Sequence, residues 1–111
     1  MSKSELLIED ILRHINDIGE FINGLTEAEF LEDKKTKAAI SLKLLAIGEA
    51  ANRLPLSLKS KYPEVEWNKI IRSRNIIAHD YEVVDFFIIW KIVTVHIPDL
   101  KEVMLKIQSE L

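Results

Sequence analysis

No cysteine occurs among the 111 residues. Disulfide scaffolds, thiolate metal sites and thiol nucleophiles are therefore excluded, and the redox character of the compartment is left open. Glycine and proline are scarce, at three each, and every proline falls after residue 54. A first half without proline favours long helices over many short strands, and no two-residue glycine turn separates alternating apolar runs as a hairpin would require. Long hydrophobic runs are missing too. The densest, Phe86 to Trp90, ends at Lys91, far short of the ~20 residues that span a bilayer. Acids interrupt the first apolar stretch at Glu5, Glu9 and Asp10, unlike a secretory leader, so a cytoplasmic protein without membrane contact is expected. There is no internal repeat and no low-complexity tract.

What is present suits one folded domain over residues 1–111. The chain is 48% hydrophobic and 30% charged, enough apolar material for a core and enough charge for a solvated surface. Ile8, Ile11, Ile15, Ile18 and Ile22 recur every three or four residues and predict an amphipathic helix over 4–23, with Gly24 as its stop. Thr26 and Glu29 have capping-box spacing. A longer helix is expected from Asp33 to Leu54, closed by Pro55. Its small-residue run Ala46-Ile47-Gly48-Glu49-Ala50-Ala51 would let another helix approach closely. Residues 55–66 read as a connection with at most one helical turn. Trp67 opens a third main helix, and Asp85 caps a fourth that Pro98 should kink or split. The expected fold is an all-α antiparallel bundle of four to five main helices. Its Phe86–Trp90 cluster would be either central core or a dimer seam.

Net charge is −3, but its distribution is uneven. Residues 1–33 hold two bases against nine acids, a net of −7, whereas residues 53–74 hold six bases against two acids, a net of +4. Of the three histidines, His14 and His96 lack companions at metal-ligand spacing and read as surface or satisfied-core residues. No metal site and no cofactor is indicated. His79 differs in its company: Arg74, Asn75, Asp80 and Tyr81 lie within eight residues of one another, interleaved with Ile76, Ile77 and Ala78. Four residues apart, Asn75 and His79 share a helix face. Arg74 and His79, five apart, sit roughly 140° around the axis from one another at about 3.6 residues per turn. To act on one atom, either the backbone departs from regular helix near His79, or the arginine wraps round, or a second copy of the chain completes the site. Arginine offers a fork of donors that fits phosphate oxygens, and histidine moves protons near neutrality. RNA carries its own nucleophile, the 2′-hydroxyl, so this pair suffices for strand cleavage without a metal. A helix end whose histidine and arginine merely cap carbonyls or pair with acids fits the same residue types.

The segment Arg74-Asn75-Ile76-Ile77-Ala78-His79-Asp80-Tyr81 resembles the Arg-x4-His-x-Tyr motif of HEPN-domain ribonucleases and, more narrowly, the HepT toxin family. The likeness extends to Ile47-Gly48-Glu49-Ala50-Ala51-Asn52-Arg53-Leu54, to Tyr62-Pro63, Trp67 and Ile70-Ile71, and to Val84-Asp85 beyond the motif, so it covers nearly the whole chain. The resemblance implies a HEPN-like homodimer whose two motifs meet in one cleft. It implies a metal-independent endoribonuclease toxin with Arg74 and His79 as catalytic residues and Asn75 in support. It further implies a minimal nucleotidyltransferase antitoxin that attaches AMP to Tyr81 and so silences cleavage. Candidates for RNA phosphates are Arg72, Lys69 and Arg53. The alternative is a non-catalytic HEPN subunit that docks on a nucleotidyltransferase and helps present its substrate. One departure stands out: family members often carry Gly-Met before the motif arginine, where this chain has Arg72-Ser73, which touches substrate preference more than activity.

Overall fold

The computed structural model describes all residues, 1–111, and local capping chemistry explains most of its element boundaries. Helix α1 (Lys3–Ile22) opens on a reciprocal box in which Ser2 Oγ accepts from the Glu5 amide at 3.1 Å and Glu5 Oε1 accepts from the Ser2 amide at 3.3 Å. It ends at Asn23, followed by Gly24 at φ +80°, a left-handed conformation that glycine adopts without a Cβ clash. Thr26 and Glu29 form a second box and open the short α2 (Glu27–Glu32). Asp33 caps α3 (Lys34–Arg53) through the Thr36 amide at 3.0 Å. Pro55 precedes the single turn of α4 (Leu56–Lys59), and α5 runs from Trp67 to His79. A 3-10 turn at Tyr81–Val83 leads to α6 (Phe86–Lys91), where Asp85 Oδ1 accepts from the Phe87 amide at 2.9 Å.

The last stretch decides between a kink and a break at Pro98. The rod is helical without interruption from Phe86 to Glu110, because Ile92–His96 forms a π turn that hands over to α7 (Ile97–Glu110). Proline lacks the amide that would bond four residues back, and its ring crowds that carbonyl. In the wider π turn the Ile97 amide instead donates to Ile92 O, five residues back, so the ring is accommodated and the helix does not end.

Four main helices therefore build an all-α bundle without strands: α1, α3, α5 and the α6–α7 rod. Helix α1 packs on α3 and α7, while α5 packs almost wholly on α3. The α1 stripe (Leu7, Ile8, Ile11, Leu12, Ile15, Ile18) meets Ile40, Leu44 and Ile47 of α3 and Leu100, Met104 and Ile107 of α7 in one core. Phe30 is fully buried beneath the start of the rod, with its ring 5.1 Å from Trp90 and 6.2 Å from Phe86. The Phe86–Trp90 cluster is thus divided: Ile89 is buried and Phe86 and Trp90 pack against the core, while Phe87 and Ile88 are 63% and 58% exposed.

No helix is long and apolar enough to cross a membrane.

Candidate active site

The arginine of the motif is positioned by the small-residue run of α3. A Cβ built on Gly48 would stand 2.6 Å from Arg74 Cβ and 3.0 Å from the carbonyl oxygen of Ile70, so only glycine permits the observed approach of α5. The expected close helix contact is therefore present, and the helix that makes it carries the motif. One residue further on, Glu49 Oε2 meets Arg74 Nε at 2.6 Å. From there the guanidinium turns along its own helix, where Nη1 donates to Asn75 Oδ1 at 2.8 Å.

These contacts bear on the three ways of bringing Arg74 and His79 together. Helix α5 stays regular through His79 and departs only at Asp80 (φ −148°, ψ 50°), so no backbone irregularity redirects the histidine. The guanidinium reaches only as far as the adjacent Asn75, which shares a helix face with His79. No hydrogen bond joins Arg74 to His79 within the chain, and the exposed imidazole has no hydrogen-bond partner of its own. Asn75 spends its side-chain oxygen on Arg74, not on orienting His79. Tyr81 lies beyond the helix end, 41% exposed, with its ring edge-on to Phe86 at 5.9 Å and 71°.

The three RNA-contact candidates fall in different settings. Lys69 pairs with Glu66 at 2.7 Å. Arg53 stands 3.8 Å from the Glu49 carboxylate. Arg72 is exposed and has no carboxylate partner; its Nε donates to the Asn68 carbonyl at 3.4 Å.

Glu49 is the residue that sequence reasoning passed over, although it stands beside the small residues that mark the helix contact. Nowhere do three or more His, Asp or Glu side chains converge closely enough to ligate a metal ion. Of the other histidines, His96 is exposed in the π turn, and His14 Nδ1 lies 3.4 Å from Lys43 Nζ, which also binds Asp17 Oδ2 at 2.7 Å and so ties α1 to α3. Burial first, then the Lys43 ammonium, lowers the His14 pKa from its ordinary value.

The class these features define is a small helical domain that sets an acid-paired arginine and an exposed, unpartnered histidine on one helix. The family described as "Ribonuclease HepT-like" matches residues 11–107. A Methanocaldococcus jannaschii protein provisionally named an RNase is 43% identical over 95 residues, which is 85% of this chain and 78% of that one. A second protein of that organism, also provisionally named an RNase, is 34% identical over 104 residues, 92% of this chain and 95% of its own. A Thermococcus cleftensis protein named a probable ribonuclease HepT is 39% identical over 94 residues, 85% of this chain and 86% of its own. No solved structure gives a significant match. The chain belongs to the HepT-like ribonuclease family and is an enzyme of the ribonuclease class.

Proposed function

We propose that the protein is the metal-independent endoribonuclease toxin of a toxin–antitoxin pair, acting as a homodimer with one cleft formed by two copies of α5. The substrate 2′-oxygen loses its proton to one His79 and attacks the adjacent phosphorus. The bond from phosphorus to the 5′-oxygen breaks, and the leaving oxygen takes a proton from the second His79. The products are a 2′,3′-cyclic phosphate and a 5′-hydroxyl end. Arg74 stabilises the charge that builds on the phosphate oxygens, and Asn75 holds its guanidinium. DNA, lacking the nucleophile, is inert.

The observation that carries this reading is the chain from Glu49 through Arg74 to Asn75, which brings a guanidinium round α5 to the flank that bears His79. Dimerisation is supported by the outward apolar side chains of Val83, Phe87 and Ile88 beside the motif, a kind of surface that marks contact sites when it is contiguous. Control falls to Tyr81. Its exposed hydroxyl attacks the α-phosphorus of ATP in the nucleotidyltransferase, pyrophosphate leaves, and the attached AMP blocks the cleft by bulk and by negative charge.

The test is cleavage of RNA in EDTA by the purified protein. Arg74→Ala and His79→Ala should each lower it by about 10² or more while the protein stays folded; full cleavage by folded His79→Ala would sink the proposal. One observation favours a second reading, a non-catalytic subunit docked on a nucleotidyltransferase: Arg74 is already paired with Glu49 in the single chain. Tight binding to a nucleotidyltransferase with no cleavage of any RNA would select it.

A further inference from the structure

A polar stripe on α5 starts within the motif, at His79 and Asn75, and runs on to Arg72 and Asn68, which the cleavage chemistry does not use. Residues 68, 72, 75 and 79 follow one another at spacings of four, three and four, so on a helix of about 3.6 residues per turn they fall within an arc of roughly 60°. All four, Asn68, Arg72, Asn75 and His79, are exposed, while Arg74, Trp67 and Ile77 lie on other faces of the helix, Trp67 and Ile77 buried and Arg74 partly so. The stripe is about 16 Å long at ~1.5 Å per residue.

Its far end opens into a groove of about 490 Å³ whose walls include Lys59, Ser60, Trp67, Asn68, Lys69 and Arg72. Three cations and one carboxylate, Glu66, line it, in a chain whose net charge is −3. Glu66 is occupied by Lys69 at 2.7 Å. Lys59 donates to the Ala51 carbonyl at 3.1 Å and pairs with no carboxylate. Arg72 holds only a weak bond to its own helix, so its fork of donors is free for an anion. Trp67 is no stacking surface, since it is buried and its indole donates to the Lys59 and Tyr62 carbonyls at 3.2 and 3.1 Å. It makes a rigid wall.

We propose that this stripe and groove form a track for the sugar–phosphate backbone of single-stranded RNA, with Arg72 as the phosphate contact that holds the strand next to the cleaved bond. The inference rests on the ribonuclease reading and deepens it. Stacked strand rises about 3.4 Å per nucleotide, so the track spans on the order of four to five nucleotides. Lined by charge and amides and lacking a stacking aromatic, it grips the strand with little preference for base. Arg72 thereby becomes a binding determinant peculiar to the Arg72-Ser73 sequence of this chain.

The experiment measures KM for RNA cleavage, and the salt dependence of single-stranded RNA binding in the His79→Ala background so that the strand stays intact. Arg72→Glu should raise KM by tenfold or more, and Arg72→Ala several-fold. Arg72→Ala should flatten the slope of log K against log salt by about 0.7, the value for one phosphate contact on a single strand. Arg72→Lys should restore the slope, and Lys101→Ala, on α7 outside the track, should leave slope and KM alone. Wild-type KM and slope in Arg72→Glu, with cleavage intact, would overturn the track. Failure of the unsubstituted protein to cut any RNA would instead overturn the ribonuclease reading beneath it.

Discussion

Gly48→Ala tests whether the contact between α3 and α5 is what places Arg74. In an exposed helix interior, replacing glycine by alanine stabilises by roughly 0.5–1 kcal/mol, because the backbone has less freedom to lose on folding. At Gly48 the new methyl would stand 2.6 Å from Arg74 Cβ and 3.0 Å from Ile70 O, whereas carbon atoms in contact prefer about 3.5–4.0 Å. Neither partner is the far end of a flexible side chain, so α5 must move off by on the order of 1 Å. Overpacking of that kind costs ~1–3 kcal/mol, which outweighs the propensity gain and leaves a net loss of about 1–2 kcal/mol. For a domain of this size that lowers the melting temperature by roughly 4–9 °C.

The displacement also reaches the site. Helix α5 packs almost only on α3, so the movement stretches the 2.6 Å ion pair between Arg74 and Glu49 and shifts the guanidinium. A 1 Å misplacement can cost about 10² in rate, and a loss of 10–100-fold in RNA cleavage is expected. The control is Gly19→Ala in α1, where nothing lies within 4 Å of the new methyl; that protein should melt a few degrees higher than wild type and cut RNA normally. Thermal unfolding and initial cleavage rates on the three proteins decide the matter. If Gly48→Ala is as stable and as active as Gly19→Ala, close helix approach does not position the arginine.

His14 gives a pH test. Its pKa is lowered in the fold by burial and by Lys43, so between that lowered value and the ordinary 6.5 the unfolded chain binds more protons and acidification favours unfolding. Stability should therefore be full above about pH 6.5 and decline below it. Melting at pH 7.5 and 5.5 should show a smaller drop for His14→Gln than for wild type, and equal drops would contradict the assignment. Asp17, whose pKa is lowered chiefly by its hydrogen bond from Lys43, loses its contribution only below 3.8, outside that window. Tyr81→Phe should still cut RNA yet take up no AMP from ATP and nucleotidyltransferase; equal silencing of the variant would place control elsewhere. Replacing both Phe87 and Ile88 by Glu should turn a sedimenting dimer into a monomer and reduce cleavage by about 10² or more, and a double variant that remains dimeric would move the interface to another face.

How far the sequence reveals this molecule depends on the range over which each feature is encoded. The helices were legible because their signals are local. Thr26 with Glu29, Asp33, Pro55, Trp67 and Asp85 mark the boundaries seen in the structure, and the isoleucine stripe of α1 is its buried face. The fate of the helix at Pro98 was not legible, since a π turn absorbs one extra residue without any residue type that announces it. Nor did the composition of Phe86–Trp90 say which members face inward; that depends on Phe30, more than fifty positions away in sequence.

The site divides in the same way. Residue types picked out Arg74 and His79, but the spacing of five does not say what holds the arginine, because its partner lies on another helix. Glu49 is 25 positions upstream, and nothing in the local pattern says that its face of α3 meets α5. Once Gly48 brings the helices together, Glu49 holds Nε and Asn75 takes Nη1, so the guanidinium has two anchors on different faces of α5. An arginine anchored on one side only would be free to settle among the solvated charges of the surface. Held on two sides, its orientation is restricted toward the flank where Asn75 and His79 stand, and the proposed phosphate contact draws on that restriction.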